Sequence, residues 1–413
     1  MKKILVRGPA LSRSGYGEQA RFALRALNAH QAEYDIYLIN TGWGATSWLT
    51  EDDEERAWID SLLQKTIAYS QTGGTFDISV QVTIPAEFER LAPYNVGYTA
   101  GIETTLMSAP WLEKTYVVDK LIVPSQHSKG VIETSSWDGQ DQRTNQAFKL
   151  TCIKPVDAVA FPVKQIEPED INLGLDTDFN FLTVAQWGPR KNLEATIDWF
   201  VEEFQGNPEV GLIVKTQLAK NCLIDRRHTE TRLKRLLAKY PDHKCKVYLL
   251  HGALTEGEMT SLYQDDRIKA IVSTTHGEGF GLPLFEAAYN GLPVIATNWS
   301  AHRDFLYAPV KDKKSKKTKI KALFSKIDYT LENIPPHAVW ENVIVAEAKW
   351  AVPKKGSYKT CLGKVYANYG TYKSSAKKLQ TYLKDEFSAE NQYKRFVDAL
   401  GLPEQAEEVQ VFT

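Results

Sequence analysis

The stretch STTHGEGFGLPLFEAAYNGLPVIATNWSAHRDFL, residues 273–306, reads as a strand end, a glycine-rich loop, a short helix and a second strand. The apolar residues Ala270 to Val272 lead into Gly277, Gly279 and Gly281, where no Cβ keeps a ligand from the backbone N–H groups. Pro283 stands where a helix would begin and Gly291 where it would stop, the usual order of these two residues. Residues 293–297 are apolar and β-branched, which predicts a buried strand. A glycine loop feeding a helix N-terminus suits a phosphate. Glu278 and Glu286 bracket that loop with seven residues between them. Carboxylates do not hold phosphate, so they fit another part of the same ligand, such as sugar hydroxyls.

Working outward, the chain alternates strands and helices twice. Strands are expected at 4–6, 35–39, 77–82, 96–99, 121–123 and 158–161, with helices at about 18–29, 54–69, 111–117 and from 126. Residues 164–178 are acidic, polar and nonperiodic, as in a linker. The pattern then restarts, with strands at 179–185, 211–215 and 247–250 and helices at 192–204, 229–240 and 255–263, before the opening stretch. Such alternation gives parallel sheets covered on both faces, an α/β chain of two doubly wound units facing across a cleft. Ligands of these sheets meet the carboxyl ends of the strands.

Bulk properties agree with this and remove other classes. A chain of 413 residues favours two domains, and its 43% hydrophobic and 24% charged residues are those of a soluble globular protein. A net charge of −1 sets up no global field for nucleic acid or membrane. The four cysteines form no C-x-x-C pair, which disfavours zinc and a disulfide framework. No apolar run reaches the length of a signal-peptide core or a membrane span, so a reducing cytoplasm is the expected location. The charge is uneven, however. Residues 311–384 hold 17 lysines against five acidic residues, with Tyr329, Trp340, Trp350, Tyr358, Tyr366, Tyr369 and Tyr372 interleaved.

Among shorter motifs, Gly15, Gly17 and Ala20 have the G-x-G-x-x-A form of a dinucleotide fingerprint. The loop before them is too long for it, and the second strand ends in Asn40 where an acidic residue would hold a ribose. A plain helix-start loop or an anion contact is the better reading. Asp176-Thr-Asp178 has the D-x-D form of a metal-held diphosphate site but lies in the linker before a strand, where capping suffices. Gly188-Pro-Arg-Lys-Asn192 follows the first strand of the second unit and opens a helix. An exposed Arg–Lys pair is often only solvated; combined with the later glycine loop of the same unit, it suits a diphosphate. No P-loop, H-E-x-x-H or G-x-S-x-G element occurs, and the eight histidines are dispersed.

Together WGPRKN, the E-x7-E element Glu278–Glu286, and the flanks VDKLIVPSQHSKGVI, HGALTEGEMTSLY and GLPVIATNWSAHRDFL resemble retaining, family 4-type glycosyltransferases of the GT-B fold. The likeness implies an acceptor domain at 1–165, a nucleotide-sugar domain at 166–384, and a C-terminal helix within 385–413 that packs back on the first domain. It also implies roles. Arg190 and Lys191 would hold the donor diphosphate, with Lys215 as a further contact because Gln186-Trp187 replaces the family's Gly-Arg. Glu278, Gly279, Phe280, Gly281 and Leu282 would form the sugar pocket, Glu286 would take the ribose hydroxyls, and Gly15, Gly17 and His251 would complete the donor site. Many members carry a histidine where this chain reads YTAGIETT, which makes Glu103 the catalytic or acceptor-orienting candidate.

The expected chemistry is front-face sugar transfer from a nucleotide-diphosphate sugar, with no cofactor and no metal. No carboxylate pair of the double-displacement kind is evident, so the protein's work is to stabilise departing charge. The lysine-rich segment 311–384 could follow a polyanion. A hydroxymethylated base in double-stranded, phage-type DNA is therefore one expected acceptor, and a cell-envelope polysaccharide or glycolipid is the alternative. A nucleotide-sugar epimerase or binding module is the reading from another class.

Overall fold

The computed structural model describes residues 1–141, 143–311 and 317–402. Its frame is two six-stranded sheets in which every pairing is parallel. The first runs in the order Tyr34–Asn40, Lys2–Gly8, Ile78–Val82, Tyr94–Tyr98, Lys120–Val123, Val156–Ala158. The second runs Lys246–His251, Val210–Gln217, Phe179–Gln186, Ile268–Ser273, Val294–Thr297, Ser325–Ile327. Inner strands such as Ile78–Val82 are buried at every residue, as a sheet with helices on both faces requires. In the second sheet the strand order reverses between Phe179–Gln186 and Ile268–Ser273. The loops leaving those two strands therefore part and open a crevice.

Local chemistry explains where the elements near that crevice start and stop. Thr255 and Glu258 cap the helix Glu256–Gln264 reciprocally, at 3.0 and 2.8 Å. The helix Leu282–Tyr289 begins after Gly281, which has φ +97°, with Pro283 in its first turn. It ends where Leu292 N–H reaches Ala287 O and Gly291 N–H reaches Ala288 O, a left-handed glycine stop.

The chain passes between the two sheets after Val156–Ala158 and returns after Tyr369–Glu386, and the two passages touch: Val163 N–H donates to Phe387 O at 2.7 Å. Beyond the second passage, the helix Ala389–Leu400 packs on the helix Gly15–Asn28 of the first unit. Phe396 is fully buried, its ring 5.3 Å from both Phe22 and Tyr98. No helix among the described residues is long and apolar enough to cross a membrane.

The structure departs from the sequence reading in several places. The strand expected at 158–161 lies at Val156–Ala158, and a hairpin of Ser136–Gln140 with Ala147–Thr151 was not foreseen. The helix expected from 229 starts at Leu223. The helix expected from 385 starts at Ala389, because Ser388 caps it and Asp385 and Glu386 end the helix before; residues 403–413 of that expectation lie outside the described residues. Segment 311–384, whose residues 312–316 are likewise outside, is not one basic face. It comprises a strand paired back on Tyr307–Lys311, a hairpin of Tyr329–Asn333 with Lys349–Pro353, and the helices Lys355–Ala367 and Tyr369–Glu386. Its aromatic residues do not share one surface: Tyr358 is fully buried and Trp350 is 3% exposed, whereas Trp340 is exposed and Tyr366, also exposed, packs its ring on Phe179 and Phe204.

Candidate functional site

The two loops at the reversal point meet. After Phe179–Gln186 the chain makes a tight turn over Pro189–Lys191, and Asn192, with φ +52°, redirects it into the helix Leu193–Phe204. Asn192 Nδ2 donates to Thr274 O at 3.1 Å and ties this turn to the end of Ile268–Ser273. That geometry brings Arg190 and Lys191 onto the glycine loop.

Arg190 Nη1 donates to Gly277 O at 2.5 Å and approaches Glu278 Oε2 at 3.3 Å. Lys191 Nζ reaches both Glu278 carboxylate oxygens at 2.7 Å. Arg190 Nη2 pairs with Glu103 Oε1 at 2.7 Å, across from the first unit. Two cations and two anions thus form a closed, neutral cluster that spans the cleft. Each side chain is about one-fifth exposed or less. Burial alone would raise the Glu278 carboxyl, but Lys191 and Arg190 outweigh it and hold the group down at about 2. Burial raises Glu103 even though Arg190 pulls it down. Burial and the neighbouring Arg190 lower Lys191.

Beside this cluster, the N–H groups of Gly279, Phe280 and Gly281 bond to no other described residue. They face the start of a helix, where donor groups and the backbone dipole favour an anion. The glycines themselves have a second cause. A Cβ on Gly277 would lie 2.0 Å from Glu103 O, and one on Gly279 would lie 1.9 Å from Ala100 O. Expected to admit a ligand, these two positions are already needed for the approach of the first unit's backbone.

Glu286 lies one helical segment on. Only Leu282 onward is helical, so an unbroken eight-residue helix between the two carboxylates is not what separates them. Glu286 is half-buried and accepts from Tyr263 Oη at 2.9 Å. Burial pushes its carboxyl up to about 7. Nearby, Lys164 joins Glu18 Oε1 at 2.9 Å and Glu256 Oε1 at 2.5 Å, and so links the helix Gly15–Asn28 to the helix Glu256–Gln264.

The remaining expected residues are placed as follows. Lys215 Nζ donates to Gly252 O, and burial with Arg13 nearby lowers it to about 8. His251 Nε2 contacts Asp225 Oδ1 at 2.8 Å. Asp225 also accepts the N–H groups of Leu218, Ala219 and Lys220, so His251 braces a loop and is not part of the charged cluster. Gly15 opens the first helix, and Gly17 N–H is accepted by the Ser14 cap at 3.0 Å. A Cβ on Gly17 would lie 1.9 Å from Ser12 O, so this glycine serves the loop's own fold. Asp176 and Thr177 bond to Tyr248 Oη, in keeping with the linker reading.

Sequence reasoning passed over Tyr16, Tyr263, Ser300 and His302. Tyr16 Oη bonds Thr99 and Ala100 N–H at 2.9 and 3.0 Å and fixes the loop that carries Glu103. Ser300 Oγ accepts Glu278 N–H at 2.9 Å, and Ser300 lay in the opening stretch with no motif to mark it. Among the described residues no group of three or more His, Cys, Asp or Glu is assembled as a metal site.

Two Rossmann-like units, with a basic turn and a glycine loop at the reversal point of the second, form a GT-B fold. Residues 166–342 match the profile of the family Glycosyl transferases group 1, so the second unit is a group 1 glycosyl transferase domain. Comparison with curated protein sequences finds no match. Solved structures agree on the fold. Sucrose-phosphate synthase from Thermosynechococcus elongatus aligns over 96% of this chain and 98% of its own at TM-score 0.58 and 12% identity. HepE from Anabaena in complex with UDP-glucose aligns over 97% and 100%, at 0.57 and 12%. TarM of S. aureus, in complex with UDP, aligns over 97% and 100%, at 0.57 and 10%.

Proposed function

We propose that this glycosyltransferase moves a sugar from a nucleotide-diphosphate sugar to a hydroxyl acceptor with retention of anomeric configuration. The observation that carries the reading is the buried cluster of Glu103, Arg190, Lys191 and Glu278 beside the open N–H groups of Gly279 and Phe280. In it, the donor diphosphate takes over Arg190 and Lys191 and the loop N–H groups. Released from Lys191, Glu278 turns to sugar hydroxyls, and Glu286 accepts the ribose hydroxyls. The bond from the sugar's anomeric carbon to the diphosphate oxygen breaks. The acceptor oxygen bonds the same face, and its proton passes to the departing phosphate oxygen. Arg190 and Lys191 supply the positive charge that this step needs, so the reaction requires no divalent cation. In this reading Glu103, paired to Arg190 from the first unit, orients the acceptor.

Of the two acceptor classes, the fold favours a glycan or glycolipid over a base in DNA. Among the described residues of the lysine-rich segment, Asn342 and Lys349 reach the first unit. Asn342 O accepts from Ser108 Oγ, Lys349 N–H donates to Thr105 Oγ1, and Ala351 N–H donates to His276 O. Residues 327–348 contain four acidic residues and no lysine or arginine, and the strand Lys349–Pro353 that follows adds one lysine, Lys349. A phosphate backbone led toward the cluster would meet like charge there. Release of nucleoside diphosphate from a panel of nucleotide sugars, with envelope glycans or hydroxymethylated duplex DNA as acceptor, tests the reading. Lys191→Ala and Glu286→Ala are expected to abolish most turnover while keeping the fold, and full activity in both would refute it.

A further inference from the structure

Four non-glycine residues among those described have a left-handed backbone: Asn145, Asn192, Ser300 and Asn342. Asparagine tolerates this region through its short polar side chain. Serine at φ +74° is the exception, with its Cβ crowded against its own peptide. Ser300 is 5% exposed and lies in the turn between the strand Val294–Thr297 and the helical turn Arg303–Leu306. Strain held at a buried position next to a charged cluster points to a use.

The contacts of the turn show what that use is. Ser300 Oγ accepts Glu278 N–H at 2.9 Å, and Ala301 N–H donates to Glu278 O at 3.4 Å. Both backbone groups of Glu278 are therefore held by consecutive residues of one turn. The turn is pinned in its own right: His302, fully buried, donates from Nε2 to Thr297 O at 2.6 Å. On the other side, a Cβ on Gly281 would lie 3.3 Å from His302 Cβ, so the loop closes onto the same turn. With its N–H taken by Ser300, Glu278 has a fixed peptide plane, and its carboxylate is aimed between Lys191 and Arg190.

We propose that Ser300 is a positioning residue, whose strained backbone places Oγ where it aims Glu278 at the donor sugar. This rests on the donor-site reading above. Three variants separate strain from positioning. Ser300→Gly removes both the crowded Cβ and Oγ; Ser300→Ala removes only Oγ; Ser300→Asn suits the left-handed backbone and restores a side-chain acceptor. Each is measured for melting temperature and for donor kcat/KM by nucleoside diphosphate release, beside wild type and Glu278→Ala.

Ser300→Gly is expected to melt at or above the wild-type temperature yet lose at least about fivefold in kcat/KM, the equivalent of one net hydrogen bond. Ser300→Ala is expected to lose both, and Ser300→Asn to recover part of the activity. A merely structural serine would make activity follow stability across the series, and that result, or full kcat/KM in Ser300→Gly and Ser300→Ala, overturns the proposal. If wild type releases no nucleoside diphosphate, or Glu278→Ala keeps the full rate, the donor-site reading fails and the role of Ser300 falls with it.

Discussion

The proposed role of Glu286 toward the ribose predicts a pH-dependent donor site, and Tyr263→Phe tests it. Ribose hydroxyls donate to a carboxylate, so donor binding draws on the ionised form. With the carboxyl raised to about 7 by burial, roughly a tenth is ionised at pH 6 and roughly nine-tenths at pH 8, so donor kcat/KM should rise about tenfold across that interval. Stability runs the other way. The folded group holds its proton more tightly than the unfolded chain, whose value is near 4.5, so the unliganded fold loses stability as pH rises from about 4.5 through about 7. The Tyr263 hydroxyl, at 2.9 Å, favours the ionised form and so pulls the carboxyl down. A hydrogen bond to a charged group is worth about 1.5–3 kcal/mol, so Tyr263→Phe should move the acidic limb up by about one to two pH units. Glu286→Gln should flatten that limb and lower the plateau. The assay is donor kcat/KM from pH 5.5 to 9 at saturating acceptor. An acidic limb unchanged in both variants would refute the assignment of Glu286 to the ribose.

Other outcomes follow from the same geometry. Lys191→Ala leaves Glu278 with Arg190 as its remaining partner at 3.3 Å, so it should lower the melting temperature by less than a fully unpaired buried ion would; adding Glu278→Gln should recover melting temperature without recovering turnover. Gly279→Ala would force a Cβ to 1.9 Å from Ala100 O. The two units should then part, seen as a larger radius of gyration by small-angle scattering, with little loss in nucleotide binding to the second unit. Excess EDTA should leave the transfer rate unchanged, and a fall to background would show that a divalent cation carries the diphosphate. Duplex DNA should produce no salt-sensitive gel shift; a shift that weakens steeply with salt would return DNA as the acceptor.

How much of this was legible in the sequence depended on how local the cause was. Arg190, Lys191, Glu278 and Glu286 stand in two short motifs whose spacing bears on one ligand, and the doubly wound order followed from alternating periodicity. A second requirement for Gly277 and Gly279 was not legible, because only the folded chain shows Glu103 and Ala100 arriving at 2.0 and 1.9 Å from a would-be Cβ. The partner of His251, Asp225, is 26 residues away and unmarked by any motif, so their contact was not legible. The aromatics among the lysines carried a signal that was missed. Tyr358, Cys361, Leu362 and Val365 fall at the spacing of one helix face and are all buried. Ser300 had no signal, since the sign of its φ is set by a turn that closes onto a distant loop.

The central claim is that Arg190, Lys191, Glu278 and Glu286 hold a nucleotide-diphosphate sugar. Isothermal titration of wild type and of Lys191→Ala with a panel of nucleoside diphosphates and their sugars tests it most directly. The account predicts that one nucleotide series binds wild type, that Lys191→Ala weakens the diphosphate by at least about tenfold, and that the matching nucleoside, lacking phosphate, binds both proteins equally. No binding by wild type to any member, or equal diphosphate affinity in the two proteins, would contradict it.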